Sequence, residues 1–401
     1  MLRDQRVRGR QAILDVIRRS GRIARIDIAG STGISQATVT TVTAELLKEG
    51  LIEEVVREPA SGGTRRGRPR VDLKLRGPAH MVAGVKIANQ SITVAIVDFE
   101  GELLGDFEMP LAQSTWSAEG LALQMRTALT NAAKGISRTL TDISAVGVGM
   151  AGFVDAEHGF IHWSPSLEHR NVAFAKVLQT EIDKPVFIDN DTNLVALAEL
   201  YFGLGRDARD FLVVTIESGV GMGIVLNGEV YHGERGCGAE FGHTKVHLDG
   251  ALCRCGQRGC LEAYVADYAL TREASVGGLL PSDIPGENAV EFVVNAAKEG
   301  NTLAKSIVDR AGRMFAMGLA NLVNIFDPEL IILAGVRMQV DHLYANEVID
   351  SIRNSIVEVD APPPNIVIHK WSDLMWARGA CAFALQEVEA MSVREFGESV
   401  A

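Results

Sequence analysis

Residues 238–264, "GAEFGHTKVHLDGALCRCGQRGCLEAY", crowd Cys253, Cys255 and Cys260 into eight positions, with His243 ten residues before the first of them. Three thiolates and one imidazole are the donor set of a tetrahedral zinc site. With four protein ligands and no open position, such a site is structural. Gly256 and Gly259 let the loop curl so that three sulfurs can converge. The expectation is one structural Zn2+ per chain, held by His243, Cys253, Cys255 and Cys260. Two alternatives compete with it: three free buried cysteines, or His247 in place of His243 as the fourth ligand. Cys237 and Cys381 stand alone and are expected in the core. An odd total of five cysteines, three of them clustered, argues against a secreted disulfide framework.

Upstream, "IDNDTNLVALAE" at 188–199 passes from an apolar strand pattern into a helical one through Asn190 and Asp191. The joint occurrence of this segment with "EFGH" and "CRCGQRGCLE" closely resembles the ROK family of repressors, open reading frames and sugar kinases. The resemblance covers nearly the whole chain. It implies an α/β fold, an actin-like (ribonuclease H-like) two-lobed body. It also implies that Asp191 stands where the kinases keep their catalytic base, vestigial if no kinase activity survives, and that Asn190, Glu240, His243 and Glu262 stand where sugar is bound. The chemistry is consistent with that assignment. Carboxylates and amides match the donor and acceptor pattern of vicinal hydroxyls, and an Asp can take the proton of a hydroxyl attacking phosphorus. One nitrogen of His243 can hold zinc while the other faces the sugar. The bland alternative makes Asp189 and Asp191 a strand end and a helix cap.

The family's kinases hold the phosphates of ATP in a D-x-G-G-T turn whose backbone N–H groups approach the phosphate oxygens. The matching positions here are Lys86, Ala88, Asn89 and Gln90, so every specified residue is replaced. A second glycine turn persists as "ESGVGMG", Glu217 to Gly223, which alone is weak evidence and also fits a hairpin. "SPSLEHRNV" at 164–172 departs from the Gly-Trp pair common in the family's sugar loop, so no contact carries over there.

Charge divides the chain. Residues 1–76 hold 16 Lys and Arg against 9 Asp and Glu, whereas residues 77–401 hold 23 against 42. A basic segment beside an acidic body implies one part that meets a polyanion. In that basic part, "RQAILDVIRRSG" has helical periodicity, "RIDIAGSTG" is a short helix ending in a turn, and Ser35 is placed to cap "QATVTTVTAELLKEG". "LIEEVVRE" then reads as a strand. The order resembles a winged helix-turn-helix. Gln36, Thr38, Thr40 and Thr41 of its third helix are the candidate base-reading residues. Phosphate charge has to come from elsewhere, with Arg8, Arg10 and the strip "TRRGRPR" at 64–70 as candidates. Arg66-Gly67-Arg68-Pro69 has the form of an AT-hook core, with Arg66 and Arg68 suited to a narrow minor groove. A solvated linker is the alternative.

From residue 81, strands alternate with helices, without a solenoid repeat. The expected division is a winged helix-turn-helix with an arginine-rich wing and linker over residues 1–76, then a first α/β lobe over 77–190 completed by a C-terminal helix at about 373–395. A second lobe follows over 191–372, with the zinc loop and a dimerisation surface. No apolar run reaches the roughly 18 to 20 residues of a membrane span, so a cytoplasmic protein is expected. The functional expectation is a sugar-responsive DNA-binding regulator, most simply a repressor and not an enzyme. It would bind double-stranded operator DNA and a sugar or sugar phosphate, as a homodimer or homotetramer. Its rivals are a sugar kinase that keeps a DNA-binding domain, and a constitutive DNA-binding protein.

Overall fold

Three short helices build the N-terminal unit: α1 (Leu2–Ser20), α2 (Arg25–Thr32) and α3 (Gln36–Lys48). Gly33, at φ +68°, ends α2, and the Ser35 hydroxyl accepts the Thr38 N–H at 3.2 Å to cap α3. Ile13, Leu14, Ile17, Ile28, Val39 and Leu46 are fully buried, each contributing about 1.5 to 3 kcal/mol. Strands β1 (Ile52–Val56) and β2 (Val71–Leu75) pair antiparallel as the wing. Leu73 of β2 exchanges backbone hydrogen bonds with Ile23, at 3.0 and 2.8 Å, which pins the wing to the α1–α2 turn. The computed structural model describes residues 2–56, 71–335, 346–353, 355–357, 362–370 and 372–399. Arg66 and Arg68 lie outside the described residues.

The chain continues through β3 (Met81–Ile87), β4 (Ser91–Asp98), β5 (Leu103–Pro110), α4 (Ala118–Gly135), β6 (Ala145–Met150), the hairpin of β7 (Phe153–Asp155) and β8 (Phe160–Trp163), α5 (Phe174–Ile182) and β9 (Val186–Asn190). These strands form a sheet of order β5-β4-β3-β6-β9, with β3 antiparallel to β4 and parallel to β6. All six residues of β6, "AVGVGM", are buried, as a central parallel strand requires, whereas edge strand β5 alternates in exposure.

Next come α6 (Asp191–Phe202), β10 (Phe211–Ile216), β11 (Val220–Leu226), β12 (Glu229–Val230), α7 (Glu262–Val265), α8 (Asp267–Val276), α9 (Ala289–Lys298), α10 (Thr302–Phe326), β13 (Leu330–Gly335), α11 (Asn346–Arg353), β14 (Asn365–Lys370) and α12 (Asp373–Ser399). The second sheet runs β12-β11-β10-β13-β14, with β10 antiparallel to β11 and parallel to β13. In its own strand count each sheet has the order third, second, first, fourth, fifth. Two copies of that topology make the α/β, actin-like fold.

The chain forms two compact units. One is Met1–Asp189 with Trp376–Ala401, and the other is Asn190–Met375. The winged helix belongs to the first unit. Helix α12 returns to it and lies directly on the sheet: a Cβ added at Gly84 would stand 2.0 Å from the Ala377 carbonyl oxygen, and one at Gly147 1.9 Å from that of Ala380. Among the described residues, no helix is long and apolar enough to cross a membrane.

Candidate zinc, sugar and DNA sites

The cysteine-rich loop, the candidate zinc site, is built by its own backbone. Val246 N–H donates to Gly259 O at 2.9 Å, Cys253 N–H to Gln257 O at 2.8 Å and Leu261 N–H to Thr244 O at 2.9 Å, closing the segment on itself. Gly256 and Gly259 have φ of +86° and +76°, and a Cβ at Gly259 would meet His247 O at 1.8 Å. The ligand atoms of His243, Cys253, Cys255 and Cys260 consequently lie within 4.8 Å of one another. Cys255 Sγ is 3.7 Å from Cys260 Sγ, and Cys253 Sγ is 3.7 Å from His243 Nδ1. Zinc–sulfur bonds of about 2.3 Å in a tetrahedron place the donors roughly 3.8 Å apart, so these spacings fit the ion. His247 is engaged elsewhere, with Nδ1 2.8 Å from Leu248 O and its ring beside Tyr264. Cys381 is fully buried, its thiol aimed at Ala95 O. Cys237 is half-buried rather than in the core, its thiol aimed at Arg235 O.

Burial pushes the Cys253 thiol up to about 12. A bound divalent cation would override that push, because metal charge stabilises thiolate directly. Lys245 adds a second cation, with Nζ 2.9 Å from Cys260 Sγ, and the Cys260 sulfur raises the Lys245 ammonium above its ordinary range. No motif in the sequence marks Lys245. Its role comes from an antiparallel bridge that pairs it with Cys260 across the loop.

Four of the expected sugar-site residues gather beside this loop. Nε2 of His243, the nitrogen turned from Cys253, stands 3.8 Å from Glu240 Oε2. Burial, followed by the charges of Glu262 and Asp191, pushes the Glu240 carboxyl up to about 7. With 40% of that side chain still open to water, solvent screening tempers the push. Glu262 is buried at the start of α7, accepting Tyr268 O–H at 3.2 Å on Oε1 and Val220 N–H at 3.4 Å on Oε2. The Tyr268 hydroxyl also lies 3.6 Å from Cys253 Sγ and so bridges a zinc ligand and a carboxylate. No sequence signal pointed to Tyr268, which reaches back only because α7 ends at Val265. Asn190 and Asp191 both accept the Thr192 N–H, at 2.9 Å, so the fifth residue, Asn190, caps α6. Capping uses one acceptor of each side chain. A cleft of about 490 Å3 is lined by Leu252 to Arg254 and by Tyr268, Thr271, Arg272 and Ser275 of α8. None of the five expected sugar-binding residues lines it, although its lining residue Tyr268 hydrogen-bonds Glu262.

The two glycine-turn positions have different surroundings. Lys86 is buried on β3, with Nζ 4.2 Å from the centroid of the Trp376 ring. An ammonium and an indole therefore stand where the family's kinases have an aspartate. At β10–β11, a Cβ on Gly221 would lie 2.2 Å from Thr192 Oγ1, and one on Gly223 2.8 Å from Thr192 O. Close packing of α6 accounts for these glycines without any phosphate.

On α3, Gln36, Thr38, Thr40 and Thr41 are all exposed, as is Lys48 at its last turn. Thr40 and Thr41 donate to Gln36 O and Ala37 O at 2.8 and 3.1 Å, and their oxygens retain acceptor capacity. Arg10 does not serve as a phosphate anchor. It is 2% exposed and ion-paired with Glu49, with Glu45 at 4.0 Å, because α1 packs its guanidinium against α3. Arg25 is likewise tied to Thr43 Oγ1 and Glu54, at 3.1 and 2.8 Å.

Residues 82–387 match the ROK family, and residues 10–53 match the winged helix-turn-helix DNA-binding family. The chain belongs to the ROK family. The DNA-binding transcriptional dual regulator NagC of Escherichia coli strain K12 is 30% identical over 335 residues, 82% of this chain and 80% of its own. A glucokinase of Halalkalibacterium halodurans is 31% identical over 261 residues, 63% of this chain and 79% of its own. The crystal structure of a ROK family transcriptional regulator, a homologue of the E. coli MLC protein, matches with a TM-score of 0.79 at 25% identity, covering 98% of this chain and 99% of that one.

Proposed function

We propose that this chain is a sugar-responsive transcriptional regulator, a repressor whose DNA affinity changes when a sugar or sugar phosphate binds the ROK body. One observation carries the reading: a winged helix shares the chain with a gathered set of carboxylates and an imidazole suited to sugar hydroxyls, while the phosphate-turn position holds a buried Lys86 under Trp376. Asn190, Asp191, Glu240, His243 and Glu262 hold the sugar hydroxyls. Zinc on His243, Cys253, Cys255 and Cys260 shapes that site without doing chemistry. Gln36, Thr38, Thr40 and Thr41 read major-groove edges, and Arg66 and Arg68 enter the minor groove. Two such chains in a symmetric dimer, or a tetramer, read the half-sites of a pseudo-palindrome. The working division is residues 1–76 for DNA, residues 77–190 with the C-terminal helix as the first lobe, and residues 191–372 as the second.

Retention of Asp191 and likeness to a glucokinase favour one rival, a DNA-binding protein that still phosphorylates sugar. Incubation with ATP, magnesium and a panel of hexoses decides between them. No turnover is expected, and a rate on the order of 10 per second would overturn the regulator-only reading. For the DNA side, replacing Arg66 and Arg68 by alanine lowers the salt slope of operator binding by about 1 to 2 and reduces the preference for A·T-rich flanks. Fluorescence anisotropy on operators with A·T-rich and G·C-rich flanks measures both.

A further inference from the structure

Arg18, in the last turn of α1, leaves the winged helix and enters the body of its own unit. Its Nε lies 3.1 Å from Glu389 Oε1 on α12, Nη2 bonds the same oxygen, and Nη1 donates to Phe99 O at 2.7 Å. Its Cζ stands 5.2 Å from the centroid of the Phe99 ring. The two side chains are 7% and 0% exposed, and Glu389 Oε2 has no hydrogen-bond partner among the described residues. One guanidinium thus binds three elements together: α1, the end of β4 and α12.

We propose that Arg18 is a positioning residue that fixes the orientation of the winged helix, making the DNA reader turn with the first unit as one body. The covalent connection alone would be a hinge. Residues 76–80 join β2 to β3, and there Phe99 N–H donates to Gly77 O at 3.0 Å. Phe99 O binds Arg18 beside that hinge, and Glu389 on α12 gives a second attachment outside the hinge segment, which removes its rotation. Arg18 makes such an attachment directional, because a planar guanidinium satisfies a carboxylate and a carbonyl at once only in a narrow range of angles. The far side of the contact is firm, since α12 rests backbone to backbone on β3 and β6 at Gly84 and Gly147. A buried ion pair contributes little to stability relative to apolar side chains of similar size. Its effect here is geometric.

The inference goes beyond the regulatory reading, and its test uses neither DNA nor sugar, so the two succeed or fail separately. Spin labels attached through a non-cysteine chemistry at exposed Ile26 and Leu123 report the distance between α2 and α4. Arg18→Met leaves the Glu389 carboxylate buried and unpaired, and the melting temperature falls. Arg18→Met/Glu389→Leu replaces the pair with apolar contact. Melting returns to within a few degrees of the parent, yet the distance distribution broadens at least twofold. A merely structural pair would restore both, so a double variant with the parent's narrow distribution overturns the proposal. Arg18→Lys, which keeps the charge and loses the fork, provides the check if the double variant does not fold. Broadening at near-parent melting supports the proposal, and an unchanged width overturns it.

Discussion

The β3–β4 and β10–β11 hairpins hold equivalent places in the two sheets, yet they have diverged in opposite ways. The first carries Lys86, Ala88, Asn89 and Gln90, with Lys86 buried under Trp376 and Asn89 exposed. The second keeps Gly219, Gly221 and Gly223, two of them in the path of α6 and the third 3.2 Å, by its added Cβ, from Glu262 Oε2. The following segments diverge too. Residues 111–117 suffice to reach α4 in the first copy, whereas residues 231–261, with the zinc loop, precede α7 in the second. A glycine turn therefore has two causes, phosphate approach or helix approach, and the second accounts for Gly221 and Gly223. The residues proposed for sugar and for zinc belong to the unit of residues 190–375, which contains the hairpin with the glycines.

The strongest test of that asymmetry is the zinc loop. Cys255→Ser is expected to take zinc from one per chain to none and to lower melting more than the loss of any sugar-site or hairpin side chain. Structural zinc is worth about 10 to 16 kcal/mol in isolated finger peptides, and Phe241 and Leu261 of this loop are core residues. Metal analysis with calorimetric melting checks both parts. Cys237→Ser, outside the cluster, should leave zinc at one per chain.

Next in size are the residues proposed to bind sugar. Asp191→Asn and Glu240→Gln each remove one charged hydrogen-bonding partner, at a cost of roughly 1.5 to 3 kcal/mol, about ten- to 150-fold in affinity. Calorimetric titration with whichever sugar binds the parent measures the loss, and unchanged affinity in both moves the effector site elsewhere. Gly223→Ala forces a methyl against Thr192 O and Ala196 Cβ, at 2.8 and 2.6 Å. Overpacking of this kind costs about 1 to 3 kcal/mol in urea unfolding. Lys86→Met gives up the contact with Trp376, about 0.5 to 2 kcal/mol. Asn89→Gly restores one glycine to the first turn and should shift stability by no more than about 0.5 kcal/mol, as expected of an exposed position. If Asn89→Gly proved as costly as Gly223→Ala, the contrast between the hairpins would collapse.

Much of this molecule was legible in its sequence because the signals are local. The apolar period of α1 and α3, the Ser35 cap and Gly33 act within a few residues, and so identify the winged helix without knowledge of its neighbours. Cys253, Cys255 and Cys260 lie close enough along the chain for spacing alone to indicate a metal, and Asn190–Asp191 mark a strand-to-helix junction wherever α6 packs. Tertiary structure decided the rest, through contacts that composition does not encode. It brought His243 rather than His247 to the sulfurs, the His247 ring being engaged by Leu248 O and Tyr264. It buried Arg10 against α3, removing it from the charge available to DNA. It gave the second glycine turn a packing role, through a helix whose approach no motif records. It set Arg18 on Glu389, 371 positions away. A helix period or a cap is enforced by its own backbone, whereas an ion pair across such a separation exists only once α12 has returned to the first sheet.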